Sequence, residues 1–216
     1  MKRIHAKCMI VLGTMLLAAA LFLVLYNLHT DQQSGAASVE ILRELKGEIP
    51  EYVPTETLAE SITPTEDLYA QYEEETTETQ EPTDPPIELN GSLYAGVLTI
   101  PALNTELPVM QEWSYANLRL APCRYAGSAA AGNLVIAAHN FSSHFGNIQS
   151  LNTGDTILFT DGTGNTHSYE VIQTEMIGGS DVQAMHDGAE EWDLTLFTCT
   201  LSGRSRVTVR AVEAVQ

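Results

Sequence analysis

The stretch "LTLFTCTLSGRSRVTVRAV" (residues 194–212) decides the fold of this chain. Two runs rich in Leu, Val, Thr and Phe flank a short polar turn at residues 200–203. Such residues favour extended backbone, and a Gly-containing turn of this length is typical of an antiparallel hairpin. The stretch therefore predicts two neighbouring strands that reverse direction at the turn.

Further strand-like segments precede this hairpin. They are rich in Val, Ile, Leu, Thr and aromatic residues and lie at 92–103, 132–139, 155–160 and 167–177. The segment "TDGTGN" (160–165) has the Gly and Asn residues that a tight reversal requires, and residues 181–193 are the main helix-like interruption. Short strands joined by loops predict an all-β domain, a closed or nearly closed β-barrel of about eight strands with short helices.

Cys199 ends the first strand of the hairpin and shares a strand face with Thr195 and Phe197. Across the turn, Arg206 begins the second strand, so the hairpin can bring a thiol close to a guanidinium. A nucleophilic cysteine needs a nearby base or cation, because a free thiol is mostly protonated at neutral pH. Arginine stays protonated and suits the oxyanion that forms when a peptide carbonyl is attacked. The hairpin thus has the elements of a nucleophilic site apart from a base.

Four histidines lie in the β-rich part of the chain, and one has the position expected of a base. His139 ends the apolar run "NLVIAAH", where a buried strand opens into a loop, a usual place for a catalytic group on a rigid support. His144, His167 and His186 lie in polar stretches or at a strand start, and we expect them to be solvated. His139 and His144 have no third ligand at a recognisable spacing, so neither a metal nor a cofactor is predicted.

The N-terminus predicts a membrane anchor. Lys2, Arg3 and Lys7 precede the uncharged run "CMIVLGTMLLAAALFLVLY" (8–26), which has about the length of a membrane-spanning helix. A cleaved signal peptide is the competing interpretation, but only the weak "SGAAS" (34–38) offers a cleavage site. We therefore predict that residues 1–7 are cytoplasmic, that residues 8–26 form an uncleaved anchor, and that the rest of the chain lies outside the cell membrane.

The segment after the anchor is acidic. Residues 31–90 carry 16 acids and two bases, and the whole chain has a formal net charge of -18. This charge argues against a nucleic-acid partner, because a polyanion would be repelled. The Glu, Thr and Pro content of residues 27–90 predicts an extended, disordered linker, which places the domain at residues 91–216.

One part of this linker has a helical pattern. Val39, Leu42, Leu45 and Ile49 lie at near-helical spacing, with Ser38 as a candidate N-cap. The pattern predicts a short helix near residues 38–47, which either packs on the membrane or the domain or forms transiently in the linker.

The motifs of the β-rich part carry a family resemblance. "TLFTCTLSGRSRVTVRA" (195–211) resembles the T-L-x-T-C segment of sortases, in which an arginine follows the cysteine at the start of the next strand. "GNLVIAAHN" (132–140) resembles their histidine-bearing strand, and "GNIQSLNTGDTILFTD" (146–161) is similar to the segment that usually follows it. With its single N-terminal anchor, the chain looks like a sortase of the class B-like or a related clostridial-type group.

The resemblance implies a role for each matching residue. Cys199 would be the nucleophile, His139 the acid and base, and Arg206 the oxyanion or substrate clamp. Thr198, which precedes the cysteine, would support the oxyanion site. Arg204 and Arg210 have the same parity as Arg206, so Arg204 stays an alternative clamp, whereas Arg210 is expected to face solvent.

The implied reaction is transpeptidation by a membrane-bound thiol protease of a Gram-positive-type envelope. Sortases recognise an L-P-x-T-G-like sorting signal on a secreted protein, form a thioester with its Thr, and transfer it to an amine of a cell-wall precursor or a pilin. In the family, a loop that corresponds to residues 178–193 helps to choose the signal.

Two alternatives to transpeptidation stay open from the sequence. The first is a non-enzymatic extracellular β-module stapled by a disulfide between Cys123 and Cys199. The second is a hydrolytic cysteine peptidase. Cys123 is otherwise expected to be a small buried apolar residue.

Overall fold

A computed structural model describes residues 2–50, 83–181, 184 and 191–214. Two of the predictions above fall partly outside these ranges. One is the acidic linker, of which residues 51–82 are not described, and the other is the helix-like segment 181–193, which includes His186. For the residues outside the described ranges, both stay predictions.

The described residues form one long helix followed by a nine-stranded sheet. The helix is α1 (Lys2–Glu48), and the strands are β1 (Ile87–Leu89), β2 (Ser92–Ile100), β3 (Thr105–Met110), β4 (Cys123–Ala126), β5 (Leu134–Ala138), β6 (Thr156–Asp161), β7 (Thr166–Gly178), β8 (Leu194–Cys199) and β9 (Ser205–Glu213). Short 3₁₀ turns lie at Pro101–Leu103, Asn117–Arg119 and Ile148–Ser150.

The sheet closes into a barrel. The strand order is β1-β2-β3-β4-β5-β8-β9-β7-β6, and β2 also pairs with β6. Strands β2 to β9 therefore form a closed eight-stranded barrel, with β1 added beside β2. The barrel is mixed, because β3 and β5 run parallel to β4 and β8 respectively. The predicted all-β barrel is confirmed, although its first strand begins at Ile87, before residue 91, because β1 pairs with the start of β2.

Closure between β2 and β6 depends on a glycine. Gly96 pairs with Asp161, and a Cβ on Gly96 would lie 2.1 Å from the carbonyl oxygen of Thr160. A side chain at this position would therefore push the two strands apart. The predicted hairpin at residues 160–165 joins β6 to β7, and Gly164 takes the left-handed conformation that the tight turn requires.

Two apolar clusters lie on the two sides of the barrel wall. The first fills the interior and includes Leu134, Ile136, Leu194, Leu196 and Val209, all fully buried. The second covers part of the outer face of β2 to β5 and β8. Because side chains alternate along each strand, residues next to those of the interior point outward into this second cluster.

Helix α1 has two dissimilar halves. Apolar side chains of its first half, from Met9 to Leu28, are more than half exposed. Among the described residues, this is the one helix long and apolar enough to cross a membrane. In the second half Leu45 is fully buried in the outer cluster, with Ile41, Leu42 and Ile49 partly buried beside it.

The second half of α1 corrects the predicted linker. Residues 27–48 continue the helix rather than forming a disordered tether with an isolated helix near 38–47. They contain good helix formers and meet no proline before Pro50, so nothing in the backbone stops the helix at Tyr26. Ser38 lies inside the helix and is 2% exposed rather than serving as an N-cap, whereas Val39 faces solvent.

Candidate active site

Cys199 lies at the last position of β8, between two neighbouring strands. On one side β8 runs antiparallel to β9, where Cys199 pairs with Arg206. On the other side β8 runs parallel to β5, and the last pair of that ladder joins Ala138 to Thr198. His139 follows Ala138 directly, so the strand register places His139 beside Cys199 and Arg206 opposite it.

His139 is a half-buried residue at the point where β5 opens into a loop. Burial lowers the pKa of its imidazole, and the positive charge of Arg119 lowers that pKa further. The backbone oxygen of His139 accepts a hydrogen bond from the N–H of Phe145 at 3.1 Å. The loop after β5 therefore folds back on the histidine, whose lowered pKa favours a neutral ring able to accept a proton.

The arginine nearest to Cys199 in the strand ladder is Arg206. Its Nη1 donates hydrogen bonds to the carbonyl oxygens of Gly203 at 3.1 Å and Ser205 at 3.3 Å. These bonds hold the guanidinium at the turn between β8 and β9. Arg204 lies within that turn and is exposed. The register thus favours Arg206 over Arg204 as the group that faces the thiol.

Thr198 points to the opposite side of β8 from Cys199. It is 3% exposed, and its Oγ1 donates a hydrogen bond of 2.8 Å to the carbonyl oxygen of Ala138. The hydroxyl is therefore engaged at the end of β5 and cannot donate to an oxyanion at the same time. Thr198 supports the site by joining the strand that carries Cys199 to the strand that leads into His139.

The site lies on the outer face of the barrel. Leu194 and Leu196 belong to the interior cluster, so Thr195, Phe197 and Cys199 point outward. Phe197 contacts Tyr125 edge to face at 5.2 Å, and Tyr125 contacts Trp113 in the same way at 6.0 Å. An aromatic wall therefore borders the strand face that leads to the thiol.

The other end of this face is closed by Arg210. We expected a solvent-facing residue there, but Arg210 is 1% exposed. Its guanidinium forms an ion pair with Glu175 at 3.0 Å and donates a hydrogen bond to Thr195 Oγ1 at 2.9 Å. It also donates to the carbonyl oxygen of Ala184 and stacks over the Trp192 ring at 4.5 Å. The segment before β8 therefore covers this arginine, which sequence parity could not reveal.

Cys123 is a free, fully buried cysteine. It pairs with Ala137 on β5, which pairs in turn with Phe197 on β8, so β5 separates it from the strand of Cys199. Two strand spacings put the two cysteine backbones roughly 10 Å or more apart, beyond the reach of a disulfide. Burial also raises the pKa of the Cys123 thiol to about 12. The expected buried residue is confirmed, and the Cys123–Cys199 staple is wrong for this structure.

His144 is also not solvated, as the sequence had led us to expect. It is 2% exposed, and its Nε2 lies 3.1 Å from the hydroxyls of both Ser34 and Ser38 on α1. Burial lowers the pKa of His144 to about 4, with a further lowering by His139 and an opposing effect of Asp31. These contacts had no signal in the sequence, because Ser34 and Ser38 lie in a segment whose composition predicts a linker.

Within the part of the chain that the structure describes, one cluster has the composition of a metal site. Ligand atoms of Asp84, Asp161 and His167 all lie within 4.8 Å of one another. The carboxylate of Asp84 accepts hydrogen bonds from the N–H groups of Ala129 and Ala130, and that of Asp161 accepts them from the turn between β6 and β7. These bonds fix the local backbone, so the two carboxylates have a structural role. His167 is partly buried beside it rather than freely solvated.

Comparison with known proteins agrees with this fold. A family model described as Sortase domain matches residues 98–214, just over half of the chain. No curated protein sequence matches the chain.

Among solved structures, similar chains are sortases of three types. Sortase A from Corynebacterium diphtheriae is 24% identical with a TM-score of 0.52, and the match covers 58% of this chain and 62% of that one. A Clostridium perfringens sortase D5 transpeptidase is 22% identical with a TM-score of 0.50, covering 56% and 79%. Sortase C from Clostridium perfringens SM101 is 21% identical with a TM-score of 0.47, covering 57% and 71%. At these identities the similarity concerns the fold, and the chain spans about three fifths of the Corynebacterium protein.

Proposed function

Because this chain belongs to the sortase family, we propose that it is a membrane-anchored cysteine transpeptidase with Cys199 as its nucleophile. The observation that carries the proposal is the strand register, which places Cys199 opposite Arg206 and beside His139. A nucleophile, an acid and base, and a cationic donor on three adjacent strand ends are the groups that acyl transfer requires.

In the first step the neutral His139 ring takes the proton of the Cys199 thiol, and the resulting thiolate attacks the Thr carbonyl carbon of an L-P-x-T-G-like sorting signal. A C–S bond forms, and the carbonyl oxygen becomes an oxyanion. Arg206 donates hydrogen bonds to this oxygen, because its guanidinium already lies at the end of the strand face that carries the thiol. Its bonds to Gly203 and Ser205 preorganise the guanidinium for this purpose.

In the second step the C–N bond after the Thr breaks. The His139 imidazolium gives its proton to the leaving amine, which departs with the downstream peptide, and the acyl group stays on Cys199 as a thioester. An amine of a cell-wall precursor or a pilin lysine then attacks the thioester. His139 takes the proton of that amine, and the C–S bond breaks to restore the Cys199 thiolate.

The proposal includes the arrangement at the membrane. The exposed apolar half of α1 spans the bilayer, with the basic residues before it in the cytoplasm and the barrel outside. Secreted proteins that carry a sorting signal would reach the outer face of the barrel there. Protease added to intact cells should then digest the barrel and leave the N-terminus protected, and the reverse pattern would contradict this orientation.

The proposed reaction is tested with the full chain in detergent micelles. The probes are a peptide containing Leu-Pro-Ala-Thr-Gly and an excess of triglycine or of a lysine-containing peptide. We expect an acyl adduct on Cys199 by intact mass and a peptide–amine product by chromatography, both absent from Cys199→Ala. Hydrolysed peptide alone under excess amine would instead identify a cysteine peptidase, and no cleavage of any related signal would contradict both.

A further inference from the structure

The second half of α1 binds the loop that follows His139. Asp31 accepts hydrogen bonds from the backbone N–H groups of Ser142 at 3.1 Å and Ser143 at 3.2 Å, and its carboxylate also accepts from both serine hydroxyls. Burial raises the pKa of Asp31, but these hydrogen bonds outweigh it, so the pKa is lowered overall. The helix therefore presents an ionised carboxylate that caps the loop.

Two serines on the next turns of α1 join this loop to a second one. Ser34 Oγ donates to the carbonyl oxygen of Arg119 and Ser38 Oγ to that of Leu120, each at 2.6 Å. A hydroxyl has one proton, so both serines must accept from His144 Nε2, which lies 3.1 Å from each. The neutral ring is therefore protonated on Nε2 and bridges the two serines.

Close packing brings the helix against the loop. A Cβ on Gly35 would lie 2.8 Å from the Cβ of Ser143, a distance at which one of the two backbones must shift. Gly47 lies further along the same helix, and a Cβ there would meet nothing within 4 Å. The absence of a side chain at position 35 is thus what allows the helix to approach the loop.

The two loops that α1 joins are the ones that flank His139. Its ring lies 4.8 Å from that of Phe141, and Phe141 lies 5.7 Å from His144. On the other side Arg119 is close enough for its charge to act on the His139 imidazole. Any movement of α1 away from the barrel would therefore release both neighbours of the catalytic histidine.

We infer that Asp31, Ser34 and Ser38 of the membrane helix are positioning residues for His139, so that the helix completes the active site of the barrel. The three residues precede the region that the family model matches. They act through the loop 141–144 and through the turn at Arg119, and they do not touch the reacting atoms. This inference rests on the proposed function, since it assigns His139 the role of acid and base.

The test follows the reactivity of Cys199 and does not require the natural sorting signal. Iodoacetamide alkylation of the full chain in detergent micelles is measured across pH, with the Cys199 peptide quantified by mass spectrometry. Cys123 is buried and lies on a different proteolytic peptide, so it does not interfere with the quantification of Cys199. His139→Ala provides the profile of a thiol without its base.

We expect the positioning variants to behave partly like His139→Ala. In Asp31→Asn and in Ser34→Ala/Ser38→Ala, the midpoint of the alkylation profile should move at least half of the way to that of His139→Ala. With the Leu-Pro-Ala-Thr-Gly peptide, kcat should fall about tenfold while KM stays within about twofold, because the strand face that carries Cys199 is unchanged. Asp31→Glu, which keeps the charge, should recover part of the loss.

Matched variants separate positioning from general damage to the helix. Thr30→Ala removes a hydroxyl that bonds within the helix to Tyr26, and Gly47→Ala adds a methyl group in open space. Both should keep the wild-type profile, whereas Gly35→Ala should shift it as the polar variants do.

The possible failures differ from one another. Wild-type profiles in Asp31→Asn, Ser34→Ala/Ser38→Ala and Gly35→Ala, beside an altered profile in His139→Ala, would overturn the inference alone. If the polar variants lose helical circular dichroism, Gly35→Ala decides the question, because it removes no hydrogen bond. Identical profiles for wild type and His139→Ala would contradict the proposed acid and base role itself.

Discussion

The outer face of β8 and β9 has two ends that look alike in sequence and differ in structure. At one end Cys199 pairs with Arg206, and at the other Thr195 pairs with Arg210. We call these pairs the open end and the closed end. Cys199 and Arg206 are partly exposed, whereas Thr195 and Arg210 are 2% and 1% exposed.

Strand parity thus places a residue on a face but does not determine its chemistry. Arg210 is enclosed by Glu175, Thr195 and Trp192, so its guanidinium binds the segment before β8. Arg206 bonds to backbone carbonyls of an exposed turn and lies next to a thiol. Two arginines on one strand face therefore differ in role: Arg210 serves folding, and we propose that Arg206 serves catalysis.

The largest effect is expected at the open end itself. Cys199→Ala should lower transpeptidation by at least about a thousandfold, because it removes the sulfur that would form the thioester. Cys123→Ala is the matched control. It should leave turnover within about twofold and cost about 1 kcal/mol of stability, because it removes one buried sulfur. Initial rates with the Leu-Pro-Ala-Thr-Gly peptide and chemical denaturation measure both, and residual turnover in Cys199→Ala would refute the nucleophile.

Replacing each of the two arginines by alanine in turn separates the roles of the open end and the closed end. Arg206→Ala should lower kcat/KM by about 100-fold or more with an unchanged unfolding midpoint, because it removes a donor to the oxyanion. Arg210→Ala should lower the free energy of unfolding by about 3 kcal/mol, because it leaves Glu175 without its ion-pair partner and opens a buried site.

Denaturation curves and steady-state kinetics on the same two proteins measure these effects. If Arg210→Ala lost activity without losing stability, the closed end would belong to the catalytic machinery and the contrast would fail.

The sequence predicted the barrel and the identity of the open end, since both depend on local signals. Alternating β-forming residues and the turn at residues 200–203 determine the hairpin, and the hairpin register determines that Cys199 faces Arg206. His139 was found in the same way, because an apolar run that ends in a histidine marks the end of a buried strand.

The sequence did not predict the surroundings of the site, because those depend on packing between distant segments. Arg210 was expected in solvent, yet it is covered by residues that lie before β8. Ser34 and Ser38 were read as part of a linker, although they bond to Arg119 and Leu120 more than 80 residues away. No local propensity encodes such contacts.

The pH dependence of stability tests the burial of His144, which lies in the loop after His139. In the unfolded chain His144 has an ordinary pKa near 6.5, whereas burial lowers it to about 4 in the folded protein. The folded state therefore binds the proton more weakly. Stability should be constant above about pH 6.5 and fall as the pH drops towards 4, by a total of up to about 3 kcal/mol.

Charged neighbours act on His144 in opposite directions. His139 lowers its pKa, and Asp31 raises it. His144→Gln, which keeps an N–H donor for the serines, should flatten the pH dependence of the unfolding midpoint between pH 4 and 6.5. An equally steep decline in His144→Gln would show that other groups cause it.

The smallest effect is expected from a pair of threonines, one at each end. Thr198→Val removes the hydroxyl that donates to the carbonyl oxygen of Ala138, and Thr195→Val removes the one that accepts from Arg210. Each loses one buried hydrogen bond, so each should cost about 1 kcal/mol of stability. Only Thr198→Val should also slow turnover, by about threefold, because the bond it removes aligns the strand that leads into His139.

Equal losses of stability with unequal losses of kcat would show that the two ends differ in function and not in the strength of their bonds. Equal losses of kcat would instead mean that the whole face acts as a single unit.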